Sequence, residues 1–228
     1  MDFQIVMEYA PDIVAGVVIT MKLVVVTMVL GLLLAIPLAL CRNSTSRWLS
    51  IPAYGYIYFF RGTPLLVQLF IIYYGFSQFE GVRESFLWNF LVDSYWCSII
   101  AFTLNTAAYT AEILRGAIKS VPQGQIEAAL SVGMSPVKLY TRIISPQAAL
   151  IALPGYCNES VLMMKGTSLA STVALLEITG ITRNLIAETF MPVELFFLAG
   201  VIYMILSTIM ICGFKLMESS LSRFRVAG

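Results

Sequence analysis

Residues 123–146 read QGQIEAALSVGMSPVKLYTRIISP and form the one long polar stretch in a strongly apolar chain. The pattern predicts a short helix over residues 125–132 and a turn at Gly133, because glycine tolerates the positive φ that ends many helices. Ser135 before Pro136 predicts a second helix, with the serine side chain as its cap and the proline at its first position. We call residues 123–146 the knuckle and predict that it docks onto a partner.

Two other interpretations of the knuckle remain open from its residues alone. The spacing of Ala129 and Gly133 is compatible with a DNA-binding helix-turn-helix. However, the basic residues of the knuckle are only Lys138 and Arg142, and DNA binding relies on many phosphate contacts. The apolar segments on both sides would also hold such a motif at a membrane. The second interpretation is an ordinary loop that folds for packing alone.

Composition places the rest of the chain in a membrane. Hydrophobic residues make up 59% of the sequence and charged residues 12%, whereas soluble domains have about 25% charged residues. Several apolar runs reach the roughly 20 residues that cross a hydrocarbon core. We therefore predict an all-α, polytopic membrane protein with one domain over residues 1–228. Its five transmembrane helices are expected at about residues 13–40, 51–76, 95–114, 147–164 and 193–214.

Basic residues are distributed unevenly between the two sides that these five spans define. Loops on the cytoplasmic side of a membrane are enriched in Lys and Arg. The distribution therefore predicts a periplasmic N-terminus, a cytoplasmic C-terminus and a cytoplasmic knuckle. The richer side carries Arg42, Arg47, Arg115, Lys119, Lys138, Arg142, Lys215, Arg223 and Arg225, and the poorer side carries Arg83, Lys165 and Arg183.

The second span is interrupted by the sequence RGTP at residues 61–64. Proline removes a helical hydrogen bond and glycine lets the backbone bend, so a broken helix is predicted here. A charge at mid-bilayer costs about 2.5–3.5 kcal/mol and needs a partner or a wet cavity. Arg61 and Thr63 are therefore candidates for lining a substrate path. Alternatively, Arg61 pairs with Glu112 or Glu159 and fixes helix packing.

Two further polar groups lie inside predicted spans. Asn105, Tyr109 and Glu112 share one helical face, where they line a path or form hydrogen bonds between helices. Asn158 and Glu159 follow a Pro-Gly pair that predicts a loosened helix, and one of the two is a path candidate. Residues 169–190 are too polar for a clean span, and we expect an outer helix pair there that closes a path from the periplasm. The alternative is an amphipathic surface helix with no gating role. With no histidine in the chain, we expect no metal site.

The knuckle resembles the EAA loop of membrane subunits in type I ABC importers. It has the family spacing but carries Ser145 where the family usually has leucine. In that family the loop forms a coupling helix that sits in a cleft of the ATPase subunit. The resemblance therefore implies a coupling loop at about residues 120–146, with ATPase-coupling roles for Glu127, Ala128, Ala129 and Gly133. The matching residues are Glu127, Ala128, Ala129, Gly133, Ile143 and Pro146.

Other stretches resemble the polar amino acid uptake group of these permeases. They are FRGTPLLVQ at 60–68, NTAAYTAE at 105–112, ALP at 152–154 with the Asn-Glu pair at 158–159, and Lys165 with TSL at 167–169. Residues 78–88 are similar to the M-type subunits of importers for histidine, arginine, ornithine and opines. The resemblance thus implies a permease subunit of the type I fold in a bacterial inner membrane, with a polar and basic amino acid or opine as substrate.

The resemblance also implies the partners. They are a second homologous permease subunit, a pair of ATPase subunits and a periplasmic amino acid-binding protein. ATP and magnesium would bind the ATPase, so no cofactor is expected in this chain. The chain has no Gly-Lys-Ser/Thr phosphate-binding loop and is not expected to be an enzyme. The alternative function is a passive channel or an ATP-independent carrier, which explains the intramembrane charges but not the EAA spacing.

Overall fold

Helices form the regular secondary structure of the part of the chain described here. The computed structural model describes residues 8–226, with side chains to residue 220. The α-helices in chain order are α1 Ala10–Asn43, α2 Arg47–Gly62, α3 Leu65–Phe70, α4 Glu80–Arg83, α5 Trp88–Leu91, α6 Ser94–Lys119, α7 Gln123–Ser131, α8 Pro136–Leu139, α9 Ser145–Gly166, α10 Ile178–Thr189 and α11 Pro192–Val226. The π-helical turns Ile71–Gly75 and Tyr140–Ile144 and the 3₁₀ segments Phe76–Gln78 and Thr167–Val173 lie between them.

Helix α6 lies at the centre of the bundle and contacts α1 along much of its length. Small residues on both helices allow this close approach. A Cβ atom built on Gly31 of α1 would lie only 2.8 Å from Cγ2 of Thr106 on α6. Ala35 and Ala39 of α1 share a buried cluster with Ala111 of α6. The α6 residues without exposed surface include Ala101, Phe102, Ala107, Ala108 and Ala111.

Three helices of the described chain are long and apolar enough to cross a membrane alone. They are α1, α6 and the Pro192–Ser220 part of α11. Two bent pairs pass the same criterion together: Arg47–Gly62 with Leu65–Gln78, bent by 103°, and Pro136–Val173 with Ile178–Thr189, bent by 48°. The count is therefore three to five, and five requires that each bent pair forms one span. The exact count and the sides on which the termini lie stay predictions.

The predicted spans coincide with helices, and one local expectation is wrong. Helix α9 continues through Pro154 without a break, so the predicted loosening after this residue is not seen. The proline removes one hydrogen bond, whereas the next residue allows close packing against α6. A Cβ atom on Gly155 would lie 3.0 Å from Cγ2 of Ile113. Helix α9 therefore stays helical at the point where it packs closely against α6.

Helix α10 is anchored by a buried carboxylate at its N-terminus. Glu177 has no exposed surface, and its two oxygens accept hydrogen bonds from the backbone N–H groups of Gly180 at 2.9 Å and Thr179 at 3.0 Å. The hydroxyl of Tyr203 on α11 donates to the same carboxylate at 2.6 Å. The Thr20 hydroxyl of α1 accepts from the N–H of Ile178 at 3.3 Å. These bonds join α10 to two long helices.

The predicted outer helix pair at residues 169–190 corresponds to two observed elements. The 3₁₀ segment Thr167–Val173 is followed by α10, and the chain turns between them at Ala174, which has a φ of 62°. Helix α10 ends at Phe190, which has a φ of 56°. Non-glycine residues rarely adopt this left-handed conformation. Both ends of α10 are thus fixed by turns, and its role in closing a path stays a prediction.

Candidate functional site: the knuckle and the broken helix

The knuckle forms the predicted helix, glycine turn and second helix. Gly133 has a φ of 75°, and its N–H donates to the carbonyl of Leu130 at 3.0 Å. The N–H of Met134 donates to the carbonyl of Ala129 at 3.1 Å. This pair of bonds is the Schellman arrangement, which satisfies free carbonyls at a helix end and favours glycine in the left-handed position. The sequence prediction for this turn is confirmed.

The start of the second knuckle helix differs from the prediction in one respect. Ser135 occupies the N-cap position and Pro136 the first helical position, but the serine side chain makes no capping hydrogen bond. Because Ser135 is exposed, water can satisfy the free N–H groups of the first turn. After Leu139 the helix widens into a π turn and continues directly into α9. The knuckle is therefore joined to a long helix without a flexible linker.

The four predicted coupling residues divide into an exposed group and one buried residue. Glu127, Ala128 and Gly133 are exposed on the knuckle surface. Ala129 retains only 7% exposure and packs with Val121, among others, in a core beneath the knuckle. Exposed apolar side chains at Leu130, Val132 and Val137, with 51%, 77% and 72% exposure, surround the first group. This apolar surface next to a tight turn is suited to docking, because large exposed apolar patches mark interaction sites.

The break between α2 and α3 is held by a network of side-chain amides. The Gln68 Nε2 group donates to the carbonyls of Phe60 at 2.9 Å and Thr63 at 3.0 Å, and to the Thr63 hydroxyl at 2.8 Å. The Asn105 Nδ2 group on α6 donates to Gln68 Oε1 at 3.0 Å and to the Phe60 carbonyl at 3.2 Å. These bonds replace the helical bonds lost at Pro64. Asn105 and Thr63 thus act in helix-to-helix hydrogen bonding.

Arg61 pairs with neither of its two predicted carboxylate partners within the described chain. Glu112 instead forms the ion pair with Arg115, three residues further along α6, with Nε donating to Oε1 at 2.6 Å. The guanidinium carbon of Arg61 lies 5.2 Å from the ring centre of Tyr109. This distance is typical of a cation–π contact. Glu112 pairs with Arg115 because residues three apart on a helix are neighbours, whereas the Arg61 side chain would have to reach from α2 to α6.

Arg61 and Glu112 line an open cleft beside the broken helix. Its volume is about 310 Å³. We define it as the arginine cleft by four of its lining residues, Arg42, Tyr54, Arg61 and Glu112. The guanidinium carbon of Arg42 lies 4.8 Å from the ring centre of Tyr54, and its Nη1 donates to the Ser50 hydroxyl at 3.3 Å. The cleft thus carries two arginines stacked on tyrosine rings.

The pair of residues at 158–159 in α9 is divided between surface and interior. Asn158 is exposed, whereas Glu159 retains 6% exposure. Glu159 lies on α9, which packs against α6. The structure brings Arg61, Tyr109 and Glu112 together between α2 and α6. Asn158 lies outside that group, and path roles for all of these residues stay predictions.

Gln68 is a site residue that the sequence reasoning missed. Its signal was present, because a glutamine in an apolar run four residues after a proline needs partners for its amide.

Replacing Gln68 with leucine should destabilise the chain by about 2 kcal/mol, since the Asn105 amide and the carbonyls of Phe60 and Thr63 lose buried partners. Thermal unfolding of the purified complex measures this change. The exposed Gln78→Leu serves as the control and should melt like wild type. Equal melting of Gln68→Leu and Gln78→Leu would contradict a stabilising amide network.

The fold and site together define a membrane transport subunit: a bundle of apolar helices with a broken helix beside a polar cleft and a knuckle that carries exposed apolar side chains. The chain belongs to the family described as "Binding-protein-dependent transport system inner membrane component", which matches residues 13–223. The resemblance inferred from the motifs is therefore confirmed at the level of the family.

Curated relatives cover most of this chain. The octopine transport system permease protein OccM of Rhizobium radiobacter is 55% identical over 209 residues, which are 92% of this chain and 85% of that protein. The nopaline permease protein NocM of Agrobacterium fabrum is 48% identical over 208 residues, 91% and 86% of the two chains. The histidine/lysine/arginine/ornithine permease protein HisM of Escherichia coli is 43% identical over 204 residues, 89% and 86%. All three relatives are permease proteins of transport systems by name.

Solved structures share the fold. A chain from the crystal structure of an amino acid ABC transporter with histidines is 30% identical and matches with a TM-score of 0.86, covering 96% of this chain and 99% of that one. A chain of the MetNI methionine ABC transporter in an inward-facing conformation matches with a TM-score of 0.80 over 94% of this chain and 98% of that one. At 14% identity, the second match shows the fold alone.

Proposed function

We propose that this chain is the permease subunit of an ATP-driven importer for polar amino acids or opines with basic character. It spans a bacterial inner membrane five times, with a periplasmic N-terminus and a cytoplasmic knuckle. The names of its relatives support the substrate class, since they specify octopine, nopaline or basic amino acids. The uneven distribution of basic residues supports the orientation.

The observation that carries the proposal is the exposed knuckle in a chain of this family. Glu127, Ala128 and Gly133 present small or charged groups on its surface, and the second knuckle helix runs directly into α9. A push on the knuckle is therefore transmitted into the membrane without passing through a loose loop. We assign the docking partner as a pair of ATPase subunits, which bind ATP and magnesium. A second permease subunit and a periplasmic amino acid-binding protein complete the complex.

The proposal includes the direction of transport and the cycle that the resemblance to type I importers implies. ATP binding closes the two ATPase subunits, and the paired knuckles carry that motion to α9 and its neighbours. The path then opens toward the periplasm and receives the amino acid from the binding protein. Hydrolysis and release of phosphate reset the complex. In this scheme the chain itself performs no chemical step and acts as a mechanical and binding element.

Replacing Ala128 with arginine tests the coupling assignment. The residue is exposed, so the change should leave the fold intact while adding a long charged side chain at the docking surface. We expect at least a fivefold loss of ATPase activity stimulated by loaded binding protein, measured on the co-purified complex in nanodiscs. Gln123→Arg is the matched control, because it adds the same group at the exposed start of the same helix and should retain near wild-type activity.

Two outcomes would contradict the proposal in different ways. Full stimulated turnover in Ala128→Arg would show that this surface of the knuckle does not couple to the ATPase. Purification of the wild-type chain without any ATPase subunit, combined with solute flux that needs no ATP, would support the channel or carrier alternative. Copurification of an ATPase and a second permease with the wild-type chain supports the importer.

A further inference from the structure

The arginine cleft has more positive than negative charge facing it. Arg42 and Arg61 stack on tyrosine rings, and neither forms an ion pair with a carboxylate among the described side chains. Glu112 is already engaged by Arg115. Glu159 is buried on α9 and does not line the cleft. The cleft therefore has two guanidinium groups that can donate hydrogen bonds to an anionic ligand.

The donor geometry of the cleft suits an oxyanion. A guanidinium group offers a planar fork of N–H donors that matches a carboxylate or phosphate. The cation–π contacts with Tyr54 and Tyr109 use none of these donors, and among the described residues Arg42 spends Nη1 on the Ser50 hydroxyl. The Nε atom of Arg42 is buried and has no hydrogen-bond partner within residues 8–220. Buried donors without partners are costly, so an oxyanion in the cleft would relieve a cost already present.

The depth of the cleft favours a substrate over a lipid headgroup. Arg42 lies in the last turn of α1, whereas Arg61 lies beside Tyr109, ten residues before the end of α6 at Lys119. At 1.5 Å per residue, Tyr109 lies about 15 Å along the helix axis from Lys119 and about 8 Å from residue 114, where the predicted span ends. By the predicted spans, Arg42 lies just beyond the end of the span in α1 and Arg61 lies within a span, so a lipid phosphate at the membrane surface is nearer to Arg42. A small solute that moves through the membrane meets both arginines in turn.

We propose that the arginine cleft binds the carboxylate end of the transported substrate. This inference rests on the proposed function and adds which part of the substrate this chain recognises. Arg61 contacts the carboxylate at mid-depth, and Arg42 receives it nearer the inner end of α1. A second carboxylate, as in octopine, would engage both arginines together. The basic end of the substrate then points away from the arginines.

The experiment measures equilibrium binding to the co-purified complex in nanodiscs without binding protein, so that the binding protein's own selectivity does not enter. The probes are radiolabelled arginine, octopine and agmatine, which is arginine without its carboxylate. Wild type should bind arginine or octopine at least tenfold more tightly than agmatine. Arg61→Gln should weaken binding of the carboxylate probes at least fivefold and leave agmatine within twofold. Arg42→Gln should act in the same direction.

The controls separate this inference from its alternatives. Arg47→Gln removes an exposed charge that does not line the cleft and should leave all three affinities unchanged. Arg61→Lys keeps the positive charge and should retain part of the carboxylate preference that Arg61→Gln loses. Arg61 is exposed, so its replacement should not impair folding. All variants are compared in nanodiscs of phosphatidylcholine alone and with phosphatidylglycerol.

Three results would overturn the inference. The first is equal affinity of the wild type for agmatine and for the carboxylate probes. The second is an equal loss of affinity for all three probes in Arg61→Gln. The third is an effect of Arg42→Gln on affinity that depends on the phosphatidylglycerol content and not on the carboxylate of the probe. The last result would assign the cleft to a lipid phosphate. ATP-driven uptake by the wild-type complex is measured in parallel. Absence of this uptake would contradict the proposed function. Uptake by the wild type together with an unaltered carboxylate preference in the variants would contradict only the role of the cleft.

Discussion

Replacing Gly180 with alanine should destabilise the chain by about 3 kcal/mol, a large effect for one added methyl group. A Cβ atom on Gly180 would lie 2.2 Å from the carbonyl oxygen of Leu175 and 3.1 Å from its carbonyl carbon. Both are backbone atoms and cannot rotate away as a side chain would. Overpacking in a rigid region typically costs about 1–3 kcal/mol. The N–H of Gly180 donates to Glu177, which also accepts from Tyr203 on α11, so a shift of α10 that relieves the clash would disturb these bonds.

The matched control for Gly180→Ala is Gly200→Ala in α11. A Cβ atom on Gly200 meets nothing within 4 Å. Alanine is favoured over glycine within a helix by about 1 kcal/mol, so this control should be neutral or slightly stabilising. The two variants are compared by thermal unfolding of the purified complex, with size-exclusion chromatography as the readout of the intact fraction. Melting of Gly180→Ala at the wild-type temperature would contradict the close approach of Leu175 to α10.

Local sequence signals predicted the elements of the knuckle and the broken helix. Gly133, Pro136 and the RGTP stretch at 61–64 each act on their own backbone, by permitting a positive φ or by removing a hydrogen bond. The family spacing then placed the knuckle in a known class of protein. These signals need no knowledge of which helices are neighbours, and they were therefore accessible from one sequence.

Side-chain contacts between different helices could not be predicted from the sequence in the same way. The expected pairing of Arg61 with Glu112 or Glu159 depended on helix packing, and the structure stacks Arg61 on Tyr109 instead. The Glu112–Arg115 pair is three residues apart and could have been predicted from helical spacing. Gln68 joins α3, the chain break and α6, so its role required the fold. The burial of Ala129 beneath the knuckle likewise depends on tertiary packing.

Glu177 illustrates the same limit at the start of α10. Its place before an amphipathic segment was visible, but complete burial of a carboxylate cannot be inferred from sequence spacing. The sequence indicated only that residues 169–190 are too polar for a clean span. The structure explains that polarity, because Glu177 caps α10 and accepts from Tyr203, while Thr20 accepts from the N–H of Ile178. These polar side chains join α10 to its neighbours.

Replacing Glu177 with alanine should destabilise the chain by about 3 kcal/mol. The change leaves the N–H groups of Thr179 and Gly180 and the hydroxyl of Tyr203 without their acceptor. Each buried group that loses its partner costs about 1–3 kcal/mol, and relaxation toward water recovers part of the sum. Thermal unfolding of the complex again measures the effect. Glu188→Ala, an exposed acid on the same helix, should change stability by less than about 0.5 kcal/mol.

A double-mutant cycle with Tyr203→Phe tests whether the carboxylate itself is responsible. Tyr203→Phe alone removes one donor and should cost about 1–2 kcal/mol. In the Glu177→Ala background the tyrosine hydroxyl has already lost this acceptor, so removing it should cost less by about 1 kcal/mol. Additive losses would show that Glu177 and Tyr203 stabilise the fold independently. A non-additive result would show that their bond couples α10 to α11, so that any movement of α10 during transport must break it or carry α11 along.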